Sequence, residues 1–306
     1  MDFVGKRVWF FAISLVVLLP GIVFLIIAPG LKPGIDFTGG STLTLEFEGD
    51  LAQVDLRETL ATLGHGDASV QRIGDRTFFI RTRELDDASK DALVAGVQAA
   101  RPVVGLIEVR SFDLVSPVVA QETVLNALYA VLAAAVGIFL YLWWAFRNVP
   151  SPFRYGVAAI IALLHDALAV VGIFAFLGMV ADIEVNTMFL IALLTVIGYS
   201  VNDTIVVFDR LRENILLNPA RTLIENVNSS ISETIARSLN TSLTLLFTLL
   251  ALLLFGGPTI RVFLWVLLIG VIAGTYSSIA IATQALVVWE TGGIRAIFRR
   301  RQAAEA

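Results

Sequence analysis

Gly198-Tyr199-Ser200-Val201-Asn202-Asp203-Thr204 lies inside an apolar run that opens at Met188 and closes near Phe208. That run is long enough to cross a bilayer, which takes about 20 apolar residues in a helix. An ionised Asp at such depth costs about 3 kcal/mol or more, so intramembrane carboxylates usually do work. Asp203 also has polar company. Tyr199 is one helical turn earlier on the same face, and Asn202 and Thr204 flank the Asp. The stretch reads as a proton or ion site within a membrane protein.

The rest of the composition agrees. Hydrophobic residues make up 57% of the 306 and charged residues only 16%, which points to a polytopic membrane protein rather than a soluble enzyme with one anchor. Cysteine is absent, which removes disulfides and thiolate metal sites. The two histidines, His65 and His165, are far apart in sequence, so a histidine metal centre is not expected. No cofactor is implied.

Apolar runs predict six spans, at about 8–28, 123–146, 155–178, 186–208, 234–255 and 262–289. The first follows Lys6 and Arg7, shows no small-residue cleavage site before Pro29, and reads as a retained helix kinked at Pro20-Gly21. Arg147 and Arg154 border the loop after the second span, Arg210, Arg212 and Arg221 follow the fourth, and Arg295, Arg299, Arg300 and Arg301 follow the sixth. The opposite loop, 180–185, has Asp182 and Glu184 without a Lys or Arg, and the last outer turn has one, Arg261. The positive-inside rule then places both termini, with the basic tail 290–306, in the cytoplasm and residues 29–122 outside.

The outer segment reads as a small α+β domain. Ser41–Glu48 alternates as a half-buried strand, Val54–Leu63 has helical spacing, and Ala68–Ile73 and Thr77–Thr82 are strands split by Gly74-Asp75. Asp86–Ala100 is helical and Val103–Phe112 strand-like. The order β-α-β-β-α-β is that of a ferredoxin-like domain. Acidic residues exceed basic ones in it, so no nucleic-acid surface is expected. Just before it, Gly34-Ile35-Asp36-Phe37-Thr38-Gly39-Gly40 is a glycine-rich turn without the Lys of a phosphate loop. Gly34, Asp36, Gly39 and Gly40 read as a joint between the first helix and the domain. The polar segment Arg210–Ser230 fits an amphipathic helix on the inner surface, broken at Asn218-Pro219, or a solvated loop.

Asp203 lies about 8 Å from the inner end of the fourth span by helical rise, and Arg237 sits at a similar depth in the fifth. They pair either as a protonatable carboxylate answering to a movable Arg or as a static ion pair. His165-Asp166, near the middle of the third span, reads as a proton relay or a structural hydrogen bond across the bundle. An intramembrane aspartyl protease would need Asp166 and Asp203 at one depth sharing a proton, and its motifs are missing. Asn240, Thr241, Ser242 and Thr244 continue a polar face on the fifth span. Gly270, Gly274, Ser277 and Ser278 form a small-residue face on the sixth, suited to close helix packing.

Taken together, the Gly34–Gly40 turn, Gly198–Thr204 with Val206–Asn214, Ala236–Ser242 and Gly274–Ser278 resemble, in order and over nearly the whole chain, the SecF subunits of the SecD/SecF family of bacterial protein export. The resemblance implies half of a resistance-nodulation-division-like bundle of six helices with one extracytoplasmic ferredoxin-like domain. It implies work with SecD beside the SecYEG channel in the bacterial inner membrane, on a translocating unfolded polypeptide. It further implies proton flow as the drive, no chemical catalysis, and Asp203 and Arg237 as the central pair. The polar residues read above, Tyr199, Asn202, Thr204, His165 and Asp166, are the expected remainder of the proton pathway. A small-molecule or lipid exporter half, or a passive translocon assembly factor, are the alternatives.

Overall fold

The computed structural model describes residues 2–27, 30–102, 104–257 and 260–292. The arginines expected in the tail lie outside the described residues. The chain divides into two compact units, Met1–Lys32 with Tyr129–Ala306, and Pro33–Leu128.

The smaller unit holds the alternating segments. Strands β1 (Gly40–Phe47), β2 (Ser69–Arg72), β3 (Thr77–Thr82) and β4 (Leu106–Val115) form one antiparallel sheet in the order β2-β3-β1-β4. Helices α3 (Gln53–Thr62) and α4 (Asp87–Ala100) supply the two crossovers, which is the ferredoxin-like arrangement. Period-two burial decides the register. Leu43, Leu45, Phe47, Phe78 and Ile80 point to one face and pack with Leu56, Leu60, Leu93 and Val97 of the helices. The last strand starts and ends three residues later than its sequence pattern suggests: Gly105, at a positive φ, precedes its first residue, and its last, Val115, pairs with Gly40 of β1.

Asp86 caps α4, accepting the backbone N–H of Ser89 at 2.8 Å. Hydrogen bonds from the Ser89 hydroxyl and backbone hold the Asp86 carboxyl below its ordinary value of 3.8. A depressed folded-state value gives stability above the unfolded pKa that is lost as pH falls through the folded one. Asp86→Ala should therefore lower the thermal midpoint of the domain at pH 7, and the gap should narrow at pH about 3, as read by circular dichroism.

The glycine-rich turn is a single helical turn, α2 (Ile35–Thr38), followed by Gly39 and Gly40 at φ 74° and 122°. Both glycines are required by geometry. A Cβ on Gly40 would lie 2.7 Å from the Thr82 carbonyl oxygen, and one on Gly39 would lie 2.9 Å from Pro117 Cα. The place where the chain enters the domain thus rests on the place where it leaves.

The larger unit is helical. With α5 (Pro117–Ala145), which begins in the smaller unit, it comprises α1 (Arg7–Ile26), α6 (Pro152–Ala181), α7 (Thr187–Leu217), α8 (Leu223–Phe255), α9 (Arg261–Ser277) and α10 (Thr283–Glu290). Six stretches are long and apolar enough to cross a membrane. The first stays helical through Pro20, and Gly21 serves a crossing: a Cβ on Gly172 of α6 would sit 2.6 Å from Gly21 Cα.

One expectation is corrected. Arg210–Ser230 is neither a surface helix nor a loop. The fourth and fifth spans continue as helices to a short turn, which does break at Asn218-Pro219. The reason is packing: Leu211, Val227 and Ile231 join the apolar core of Phe146, Tyr155 and Phe208. Asn214 donates to Ser230 Oγ at 2.9 Å, Arg210 pairs with Glu233, and Thr222 with Glu225 forms a capping box that starts α8. The sixth span is present where expected, and it is interrupted. A π-helical segment, Ser278–Ala282, separates α9 from α10.

Candidate functional site: two buried carboxylates in the helical unit

Asp203 occupies the middle of α7, and Arg237 the middle of α8. Each is about 21 Å by helical rise from the turn that joins the two helices, so their levels match. Asp203 is only 2% exposed, and its Oδ2 has no hydrogen-bond partner among the described residues. Such an oxygen is an acceptor awaiting a proton or an external donor. Arg237 does not fill that role. It is exposed on α8, and none of its nitrogens comes within 4.0 Å of the carboxylate, though its charge acts on Asp203 through space. A static ion pair is therefore not what the structure holds.

The neighbours divide by face. Thr204 is buried and its hydroxyl is tied to the Ser200 carbonyl at 3.2 Å, whereas Asn202 is exposed. Tyr199 is half-buried, with its hydroxyl 3.0 Å from Ser242 of α8, and Ser242 lies 2.6 Å from Thr275 of α9. One hydroxyl cluster so links three helices one turn from Asp203. Gly270 and Gly274 make this possible. A Cβ on either would fall 2.1 Å from Val196 or 2.8 Å from Ser200, so α9 lies close against α7 as the small-residue face foretold.

The second polar cluster sits elsewhere in the bundle, centred on α6. His165 (7% exposed) and Asp166 (1% exposed) lie together on α6. His165 Nδ1 is 2.9 Å from Asp166 Oδ1 and Nε2 is 3.1 Å from Ser14 Oγ of α1. Asp166 Oδ2 accepts from the Ser277 hydroxyl of α9 at 2.6 Å and from the Ser200 hydroxyl of α7. Ser14 reaches Tyr276 Oη at 3.3 Å, and Tyr276 donates to the Phe10 carbonyl at 2.5 Å. The two side chains diverge around the helix, as neighbours must, and in diverging they tie four helices. Among the described residues no direct hydrogen bond or ion pair joins this cluster to Asp203, although Ser200 is only one turn before it.

Sequence reasoning missed Ser14, whose signal was a lone hydroxyl in an otherwise apolar span. It also gave no polar role to Tyr276. At the other joint, Gly34, Asp36, Gly39 and Gly40 all lie in or beside α2, with Thr38 Oγ1 closing on the Gly34 carbonyl at 3.0 Å.

Comparison with known proteins follows the same lines. Residues 97–292 match the family described as protein export membrane protein SecD/SecF, C-terminal, and residues 24–50 match the SecD/SecF GG motif. The protein translocase subunit SecF of Thermobaculum terrenum is 43% identical over 99% of this chain and 98% of its own length. That of Anaerolinea thermophila is 41% identical over 98% and 97%. The crystal structure of SecDF, a translocon-associated membrane protein from Thermus thermophilus, superimposes with a TM-score of 0.82 at 34% identity. It covers 95% of this chain, which spans 39% of that longer one. SecDF in a super-membrane-facing form gives 0.68 at 32% identity, over 100% of this chain and 40% of the other. The expected architecture, a six-helix half-bundle of the resistance-nodulation-division kind with a small α+β domain, agrees with these matches. The chain belongs to the SecF family of protein translocase subunits, membrane components of Sec protein export.

Proposed function

We propose that this subunit, joined to a SecD partner beside the SecYEG channel, uses protons moving down their gradient to promote the passage of unfolded polypeptides across the cytoplasmic membrane. The observation that carries the reading is the buried Asp203 with an unpartnered Oδ2, next to exposed polar groups. Asn202, Arg237, Asn240, Thr241 and Thr244 are all exposed in this chain, although they lie in spans. Polar groups at that depth are normally turned toward protein or a water-filled path rather than lipid. A SecD half is the natural cover, and the longer SecDF chains, of which this one spans two-fifths, support it. The SecD half would bring the further intramembrane carboxylate that the family resemblance implies.

In this reading the proton is the coupling ion and binds at Asp203, Arg237 answers its charge, and Tyr199 with Ser242 and Thr275 sets the hydroxyl environment. No bond of the exported chain is made or broken. Both termini are cytoplasmic, and the domain reached through Gly34–Gly40 is outside and moves. A potential of about 100 mV supplies about 2.3 kcal/mol per charge. That is enough to bias a two-state helix arrangement by about fiftyfold, but too little for a single large extraction.

The test is export into inverted membrane vesicles carrying this chain and its SecD partner, with and without a protonophore. Gradient-dependent stimulation that needs both chains is the expected result. Equal export with the gradient collapsed would favour a passive assembly factor instead.

A further inference from the structure

The hydrogen-bond chain around His165 constrains where the protons of that site lie. The Tyr276 hydroxyl owns one proton, and the Phe10 carbonyl 2.5 Å away can only accept, so the proton lies on that bond. Ser14 Oγ, 3.3 Å from Tyr276 Oη, must then be the donor in its own contact with the tyrosine. Having spent its single proton there, Ser14 can only accept from His165, 3.1 Å away. His165 Nε2 therefore carries a proton. On the other side of the ring, Asp166 Oδ2 takes two serine hydroxyls, and Oδ1 faces His165 Nδ1 at 2.9 Å. One more proton must lie between those two atoms, since two lone pairs at that distance would repel.

We infer that His165 and Asp166 form a second proton-binding site, separate from Asp203, holding one proton more than a neutral imidazole beside a carboxylate. Whether that proton sits on Nδ1 or on Oδ1, the pair is net neutral. Neutrality suits the place. No Lys or Arg pairs with either member among the described residues, and a lone buried negative charge is costly. The groups facing the pair are Ser14 and the Phe10 carbonyl from α1, Ser200 from α7, and Tyr276 and Ser277 from α9. Of these only Tyr276 is ionisable, and Asp203 lies one turn beyond Ser200.

Loss of the proton has a mechanical result. The remaining ring proton moves to Nδ1, where the carboxylate accepts it, and Nε2 becomes an acceptor. The Ser14 hydroxyl turns to donate to Nε2. Tyr276 can then donate to Ser14 and release the Phe10 carbonyl. The tether between the first and sixth spans changes its attachment on the first, so the direction of two hydroxyls reports whether the site is loaded. Use of this in export rests on the function proposed above; the proton count does not.

The test is nitrogen-15 NMR of the histidine rings in the full chain, in lipid nanodiscs near neutral pH. The chain has two histidines, and His65→Gln assigns the other. The expected spectrum shows His165 protonated at Nε2, with the second proton seen either on Nδ1 or, by the carboxyl carbon-13 shift, on Asp166; a bare Nδ1 beside an ionised Asp166 would overturn the inference. An unprotonated Nε2 in the parent protein, with the proton on Nδ1 alone, would overturn the inference. Tyr276→Phe removes the acceptor that holds the Ser14 proton, and the ratio of Nε2-protonated to unprotonated rings should fall about fivefold, the bias of one hydrogen bond. An unchanged ring in that variant would refute the hydroxyl chain. In Asp203→Asn the His165 signals should stay as in the parent even where gradient-driven export is lost. Their collapse there would show that the two sites are one.

Discussion

Asp203→Asn is expected to bring gradient-stimulated export down to the level seen with the gradient collapsed, while membrane insertion and association with SecD persist. The two side chains have nearly the same shape, so packing around the 2%-exposed position changes little. The chemistry changes completely. An amide cannot take up and release a proton, and its N–H₂ gives permanent donors where the structure leaves Oδ2 without one. Asp203→Glu should retain part of the stimulation, because protonation survives and only geometry shifts. The measurement is export in vesicles of matched protein content, with co-purification of the partner as the check on assembly. Full stimulation in the Asn variant would reduce Asp203 to a structural group.

Gly172→Ala should be strongly damaging to the helical unit. A Cβ there would lie 2.6 Å from Gly21 Cα, against backbone that no rotamer change can move. Helices α1 and α6 would have to separate, at about 1–3 kcal/mol for overpacking of this kind. The damage should also reach the polar cluster. Ser14 is two turns before Gly21 on α1, and His165 is two turns before Gly172 on α6, so the two contacts belong to one parallel seam. The expected outcome is a lower thermal midpoint in detergent together with loss of the Ser14 constraint on the His165 ring. A midpoint equal to the parent's would show that the crossing relaxes without strain.

The spans were legible because hydropathy over some twenty residues reports burial in lipid whatever the neighbours are. The ferredoxin-like order was legible for a similar reason: Leu43, Leu45 and Phe47 alternate, and Gly74-Asp75 marks its turn. The hairpin between α7 and α8 was misread because its polar surface hid a narrow apolar stripe, Leu211 and Val227, that only the bundle can bury. The π-helical segment after Ser277 left no compositional mark. The site was legible residue by residue but not in its connections. Ser14 and His165 are 151 positions apart and Ser14 and Tyr276 are 262 apart, and no local pattern couples them. Nor can a sequence say that Arg237 turns outward, since a helical wheel gives its face but not what packs there.

Gly40, the first residue of β1, pairs with Val115, the last of β4, and Gly39 abuts Pro117. The two ends of the domain are therefore held about 5 Å apart, the spacing of neighbouring strands. A folded insertion with its ends side by side is a module: it can grow, shrink or be exchanged without re-registering what it interrupts. Seen this way, the two glycines are also a graft junction. Lineages that keep the junction are free to remodel everything beyond it, and a chimera that transplants residues 40–115 as one block has the best prospect of leaving the membrane helices undisturbed.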